Sequence, residues 1–413
     1  MYVVNISSLH LAVDPGCRVL KGAEMGSVPV LHDAWLRFSP ESGLVEDYGC
    51  GMPDAAALAG HEVVDARGGC VIPTFCDSHT HIIYAGSLEG EFIDKINGLS
   101  YEEIAARGGG ILNSADRVAA ASENSLYDAA LSRASEMIAK GTGAFEVKSG
   151  YGLSTDSELK LLRVAARLRE ALPVPVKITF LGAHAVGRAY AGRQGAYVDM
   201  LIDEMLPAVA AQGLAEYVDV FCDRGFFTVD ETRRILEASA HYGLRPKIHA
   251  NELDCSGGVQ VGVEAGALSV DHLERMGDAE IEVLRSSTTI PTMLPGASFF
   301  LGMPYAPARK AVAAGLPVAL ASDYNPGSSP SGDMRFVWAL GCIKMRLTPS
   351  EALAACTING AAAMGVSDTH GAIRRGCPAS FVVTRNVPSI DFIPYAYTTP
   401  WIADIYLSGR RYQ

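Results

Sequence analysis

The sequence predicts an α/β protein whose main body is a (β/α)8 barrel, with a small sheet drawn from both termini beside it. Three observations carry this expectation. From residue 70 to about residue 365, apolar strand-like runs alternate with amphipathic helical stretches, the pattern of βα units around a parallel sheet. Eight such runs spread over about 300 residues, the size of a barrel with insertions. Short β-like pieces punctuated by Gly, Pro and Asp precede this region and follow it.

Before residue 70 the β-like pieces are residues 2–6, 28–31, 34–38 and 62–65, with no long helical period among them. The barrel strands are expected at 71–76, 144–148, 177–182, 217–222, 246–250, 268–271, 289–294 and 317–322. Helices between them carry end signals. Thr228, with Glu231 three residues on, forms a capping box for a helix that runs to Tyr242 before Gly243. Ser154, with Ser157 and Glu158, opens another, which places Leu159, Leu162, Ala166 and Leu168 on one side and ends before Pro173. After Gly371, residues 380–384 and 401–408 read as strands around Pro388, Pro394 and Pro400. Strands too few at either end to be stable alone are expected to pair with each other. Residues 1–70 plus 371–413 would then form one composite β domain, and residues 71–370 the barrel.

Composition narrows the function. The chain has 413 residues, 49% of them hydrophobic and 19% charged, enough to bury a large core. Its net charge is -12, and no Lys/Arg cluster or basic helical stripe appears, so the electrostatic footprint of a nucleic-acid binder is missing. The nine cysteines are scattered singly, without a Cys-x-x-Cys pair, which argues against a disulfide framework or a zinc ribbon and for a reducing compartment. The N-terminus lacks a basic region followed by an apolar core, and no run is long enough to cross a bilayer, so a cytoplasmic location is expected.

The chemistry gathers at the C-terminal ends of the expected strands, which is the active face of such barrels. The first run leads into His79-Thr80-His81, where alternation in a strand puts both imidazoles on one face. The second carries Glu146 and Lys148, the third ends at His184, the fifth at His249 with Glu252 beyond it, the sixth at Asp271 and His272, and the eighth at Asp323. Five of the ten histidines fall at strand ends, and their joint placement favours a shared site over structural roles taken one by one. His79, His81, His249 and Asp323 make three imidazoles and a carboxylate, a ligand set for a hard or borderline metal with one position left open. Such an ion lowers the pKa of a bound water toward ~7. Asp323 could then carry protons, and Glu252 could protonate a leaving nitrogen. Lys148 is either a carboxylated lysine bridging two metals or a structural lysine paired with a nearby carboxylate, and its early place in the strand favours the second.

The run from His79-Thr80-His81 through His249-Ala250-Asn251-Glu252 to Ser322-Asp323 resembles the amidohydrolase superfamily. That resemblance implies a distorted (β/α)8 TIM-like barrel with a small β-sandwich built from both termini. Within the superfamily the chain is similar to the imidazolonepropionase family in Asn97 to Tyr101, Gly108 to Ile111, Glu146-Val147-Lys148-Ser149-Gly150-Tyr151-Gly152, Leu181 to Ala185, Ser269 to Leu273 and Asp323 to Ser328. The resemblance implies a hydrolase of histidine breakdown that opens the ring of 4-imidazolone-5-propanoate with water to give N-formimidoyl-L-glutamate. It further implies one divalent or trivalent ion, zinc or iron, and substrate contacts from Tyr151, His184, Glu252 and Ser328, with Asn325 and Gly327 beside the product carboxylates and Tyr101 nearby. His184 could polarise the ring carbonyl, and His272 could orient the water or steady the developing oxyanion. A small-molecule substrate and a homodimer are expected.

Two departures stand out. The family has an arginine seven residues after the second histidine, where this chain has Leu88, and leucine cannot supply a charge-assisted fork to a carboxylate. Ala379-Ser380 replaces a common Ala-Asp before a terminal strand. The alternatives are a deaminase of a heterocycle, marked by ammonia release, and a metal-binding homologue with weakened catalysis, for which Leu88 is the support.

Overall fold

The computed structural model describes residues 1–99, 103 and 109–412. Tyr101 lies outside the described residues, so its expected place near the substrate is carried no further. Strands β1 (Tyr2–His10), β2 (Val30–Phe38), β3 (Val45–Cys50), β4 (Val63–Asp65) and β5 (Cys70–Pro73) open the chain. The barrel follows as β6 (Phe75–Asp77), β7 (Thr142–Lys148), β8 (Val176–Ala183), β9 (Tyr217–Cys222), β10 (Arg245–Ala250), β11 (Ser269–His272), β12 (Ile290–Met293) and β13 (Ala319–Leu320). Strands β14 (Phe381–Thr384), β15 (Ile402–Leu407) and β16 (Arg410–Tyr412) close it.

The two termini meet in one sheet, ordered β16-β15-β14-β5-β1-β2-β3, with β4 pairing β1. Its joint is β5, parallel to β1 with Ser8 opposite Cys70 and antiparallel to β14 with Phe381 opposite Pro73. A separate core fills it. Phe38 meets Phe381 edge-on at 5.5 Å, and Phe381 stacks on Tyr406 at 4.8 Å. Residues 28–31 and 34–38, expected as two pieces, belong largely to the single strand β2, which turns through a left-handed backbone at Asp33 (φ 47°).

The first expected barrel strand, 71–76, is in fact two strands. Residues up to Pro73 pair in the terminal sheet, while Phe75 opens the barrel by donating its N–H to Gly141 O at 2.9 Å. The apolar run is unbroken because both halves are buried, so hydrophobicity does not mark where the chain changes sheets. From β6 to β13 the strands are parallel and pair in sequence order. Beyond the short β13 the ring closes through its last and first segments: Asp323 N donates to His79 O at 3.0 Å, and His81 N to Tyr324 O at 2.9 Å. Closure itself therefore brings the paired histidines and the late aspartate side by side.

Helices pack outside the ring where their caps predict. Thr228 and Glu231 form the expected reciprocal box before the helix Val229–Ala240. Ser154 caps Thr155–Ala171, whose buried face is wider than one stripe, since Leu161, Val164 and Ala165 join Leu159, Leu162 and Leu168. That helix touches both β8 and the neighbouring helix Glu123–Ala139, so two of its sides are covered. Among the described residues no helix is long and apolar enough to cross a membrane.

Candidate active site

At the C-terminal mouth of the barrel the five strand-end histidines come together. His79 Nε2 lies 3.2 Å from His81 Nε2, and Asp323 Oδ1 lies 3.5 and 3.6 Å from these two nitrogens. The His249 ring stands 4.5 Å from that of His79 and 5.4 Å from that of His81. His79, His81 and His249 each offer a donor atom within 4.8 Å of the others, and so do His79, His272 and Asp323. His79, His81, His249 and Asp323 are all 2% exposed or less.

These residues fit a cation. His79 Nδ1 lies 2.6 Å from Asp271 Oδ2, which fixes the proton there and leaves the Nε2 lone pair facing inward. His249 is buried, yet its Nε2 has no hydrogen-bond partner among the described residues, a cost that a bound ion removes. Its Nδ1 stands 3.0 Å from Asp219 Oδ2, though not aligned as a hydrogen bond. Burial, and then Lys148 and the neighbouring imidazoles, hold His79 and His81 well below the usual histidine range, so both are neutral imidazoles, the form that can bind a cation.

Beneath the imidazoles lies a fully buried charge network. Lys148 Nζ reaches Glu146 Oε1 at 2.7 Å and Asp219 Oδ2 at 2.8 Å, with Asp271 at 3.6 Å. Lys247 Nζ bonds Glu146 and the Ser78 carbonyl, the latter at 2.9 Å. Lys148 is thus a structural lysine among carboxylates, the second of its two readings. Its ammonium stays charged because Asp219, Glu146 and Asp271 outweigh the cost of burial. Asp219, Asp271 and Lys247 received no role from sequence. The signal of Asp219 and Lys247 was a charged residue inside an apolar strand, tolerable only when it points at partners inside the ring, while Asp271 was placed at its strand end without a role.

Two more buried carboxylates shape the loops of the rim. Glu158 accepts the N–H groups of Gly150, Gly152 and Leu153 at 3.1, 2.7 and 2.9 Å, and so cages the turn that carries Tyr151. Gly152 is obligatory there, since a Cβ would stand 2.4 Å from Glu158 N. Asp223 does the same for the loop of Glu252, accepting from the N–H of Glu252, Leu253 and Asp254 at 2.9, 2.9 and 3.1 Å. The part both acids play at the rim was missed in sequence because most of their partners are main-chain groups, which leave no side-chain pattern to read. The turns after β10, β11 and β13 pass through left-handed backbone at Asn251, His272, Leu273 and Asp323 (φ 55°, 82°, 71° and 54°), conformations that ordinary residues hold only under constraint.

The remaining expected residues line this rim. The His184 ring stacks on His81 at 5.3 Å, and Tyr151 stands 5.3 Å from it. His184 Nδ1 lies 3.0 Å from the Gly150 carbonyl, which only accepts, so Nδ1 holds the proton. Burial lowers its pKa to about 3, and the ring presents a neutral, accepting Nε2. His272 lies between Glu252 (Nε2 to Oε2, 3.6 Å) and Glu274 (Nδ1 to Oε2, 3.5 Å), a partner that sequence did not reveal. Burial, with the Glu274 and Asp323 charges, raises Glu252 to about 7. His272 is raised well above the usual range, as Glu252 and Glu274 outweigh its burial.

Ser328 Oγ donates to Asp323 Oδ2 at 3.1 Å. Asn325 spends its amide on the turn itself, donating to Asp323 O and Ser328 Oγ and accepting from Gly327 N and Ser328 N, so it shapes the loop that presents Gly327 and Ser328. The Leu88 side chain packs over Gly327.

Residues 70–405 match the model of the amidohydrolase family. An imidazolonepropionase of Christiangramia forsetii is 50% identical over 410 residues, covering 99% of each chain. One of Flavobacterium johnsoniae is 47% identical over 408 residues, covering 99% of this chain and 98% of its own. A triazine hydrolase variant, only 14% identical, shares the fold with a TM-score of 0.73 over 99% of this chain and 94% of its own. Family membership and the histidine cluster together point to a bound metal ion. The chain belongs to the amidohydrolase family and, within it, to the imidazolonepropionases.

Proposed function

We propose that this protein hydrolyses 4-imidazolone-5-propanoate, breaking the bond between the ring carbonyl carbon and its nitrogen to yield N-formimidoyl-L-glutamate, a step in histidine degradation. The observation that carries the reading is the convergence of His79, His81, His249 and Asp323 at the barrel mouth, beneath an acid pair made by Glu252 and His272. The names carried by relatives at 47–50% identity support the choice of substrate.

His79, His81, His249 and Asp323 would hold zinc or iron, which when bound supplies the Lewis acidity that makes water nucleophilic near neutral pH. The chain's own groups handle the rest. Asp323 Oδ2, tethered by Ser328 Oγ, lies where it can take a proton from the attacking water. Glu252, raised to about 7, holds a proton for the departing ring nitrogen and can regain one in the next cycle. With Glu252 carrying its proton, the Glu274 carboxylate beside Nδ1 keeps His272 cationic, so that it can meet the negative charge that develops on the carbonyl oxygen. His184 takes a different part from the one its sequence position suggested. With the proton on Nδ1 it cannot polarise a carbonyl, so it accepts a hydrogen bond from a ring N–H instead. Tyr151 walls the ring, and Ser328 with Gly327 borders the end where the carboxylates lie. The scattered free cysteines suit work in the cytoplasm.

The experiment is to incubate metal-analysed protein with freshly generated imidazolonepropanoate and identify the product by mass. A product heavier by one water and matching formimidoylglutamate is expected. Release of ammonia would assign the site to a deaminase instead.

A further inference from the structure

The substrate of the proposed reaction brings a propanoate into a cleft whose buried charges are mostly acidic. A carboxylate leaving water needs a cation with donors to spare. Lys148 and Lys247 lie below the histidines and are committed to Glu146, Asp219 and Asp271. Arg133 gives its guanidinium to the carbonyls of Ile82 and Tyr84 and stands over the Tyr84 ring, 3.5 Å from its centroid. Arg117 reaches the Ser87 carbonyl on the exposed side.

Lys95 differs from all of these. It is half-buried, stands over the Phe300 ring at 5.4 Å, and spends one of its three N–H groups on the Gly327 carbonyl at 3.0 Å. Among the described residues no carboxylate pairs with it, and Glu91, whose charge it feels, is held by Gly110 N and Asn113. Partial burial lowers its pKa, the mark of an ammonium short of negative charge. Gly327 adjoins Ser328, whose hydroxyl lies on Asp323, so the Lys95 ammonium is joined to the histidine cluster by a single short loop. The helix Glu89–Ile96 places Lys95 two turns after its N-cap Leu88, on the same face, and both side chains reach Gly327.

Resting on the reading above, we propose that Lys95 binds the substrate's propanoate carboxylate from across Gly327 and thereby sets the preference for an anionic side chain. It is a specificity residue contributed by the helix after β6, the first strand of the barrel. Its two free N–H groups take the carboxylate while the third keeps the ammonium on the loop.

The test uses metal-loaded protein and a ring that cannot be opened, 3-(imidazol-4-yl)propanoate, beside its carboxamide, with calorimetric binding as the readout. Wild type is expected to bind the propanoate at least about tenfold more tightly than the amide. Lys95→Met should weaken the propanoate roughly 10- to 100-fold and the amide by less than about threefold, while Lys95→Arg keeps the difference. Adding Leu88→Arg to Lys95→Met should restore much of the loss, because position 88 overlies the same glycine, and in wild type Leu88→Arg should raise kcat/KM. Equal weakening of acid and amide by Lys95→Met would show a lysine that only ties helix to loop, and an unchanged propanoate affinity would equally overturn the proposal. Turnover of imidazolonepropanoate by wild type is scored separately, so failure of the reaction and failure of the anchor are told apart.

Discussion

Replacing Asp271 by Asn tests how the imidazoles are aimed. Asp271 Oδ2 lies 2.6 Å from His79 Nδ1, and its other oxygen accepts from Ser269 Oγ at 2.5 Å, so the carboxylate is fixed before it fixes the ring. Asparagine keeps the shape but loses the charge, and its amide can turn a donor toward Nδ1. Losing an outer partner of this kind weakens metal binding ~10- to 100-fold, or about 1.4–2.7 kcal/mol. Folding should suffer little from the lost charge, because three buried carboxylates (Glu146, Asp219, Asp271) face two ammoniums, and the substitution balances them. Lys148→Met does the reverse, leaving three carboxylates to one ammonium and costing about 3–5 kcal/mol of stability. The assay is chelator competition for the metal dissociation constant, run beside denaturant unfolding. An Asp271→Asn protein with wild-type metal affinity, or one as unstable as Lys148→Met, would refute the reasoning.

Other expectations follow from the same geometry. Asp323→Ala should abolish both bound metal and turnover, and stoichiometric metal in that variant would remove Asp323 from the ligand set. Glu252→Gln should keep its metal and lose about 10²- to 10⁴-fold in kcat, since an amide cannot pass a proton; a loss below about tenfold counts against the acid role. Away from the site, His10 and His370 are buried and lowered from 6.5 to about 4, His10 by burial and then by His32, His370 by burial and then by Arg374. The unfolded chain takes these protons first, so the stability they provide is complete above pH 6.5 and lost as pH falls toward 4, at most about 3 kcal/mol for each histidine. Urea midpoints at pH 7.5 and 4.5 should therefore converge in His10→Asn, and an unchanged acid loss would contradict this.

The barrel was legible because its strands are almost wholly buried and most are separated by capped helices, so apolar runs alternate with amphipathic ones. Val45–Cys50 and Arg410–Tyr412 were not anticipated, since polar residues on half-exposed strands give no apolar run to detect. The convergence of His79, His81, His249 and Asp323 was readable from strand-end positions because a parallel ring brings the ends of distant strands together. Asp219 and Lys247 needed the ring itself, which decides what lies opposite a buried charge, and Glu158 and Asp223 needed the loops whose main chains they hold. Which nitrogen of His184 carries the proton was beyond sequence altogether, being set by the carbonyl of Gly150.

Everything depends on four side chains sharing one ion, and a crystal structure of metal-loaded protein with anomalous data at the metal edge tests that most directly. The account requires one anomalous peak at the barrel mouth with His79, His81, His249 and Asp323 at ~2.0–2.2 Å, the range for zinc with nitrogen and oxygen ligands. A peak coordinated by other residues, or no peak in protein that analyses as metal-loaded and active, would contradict it.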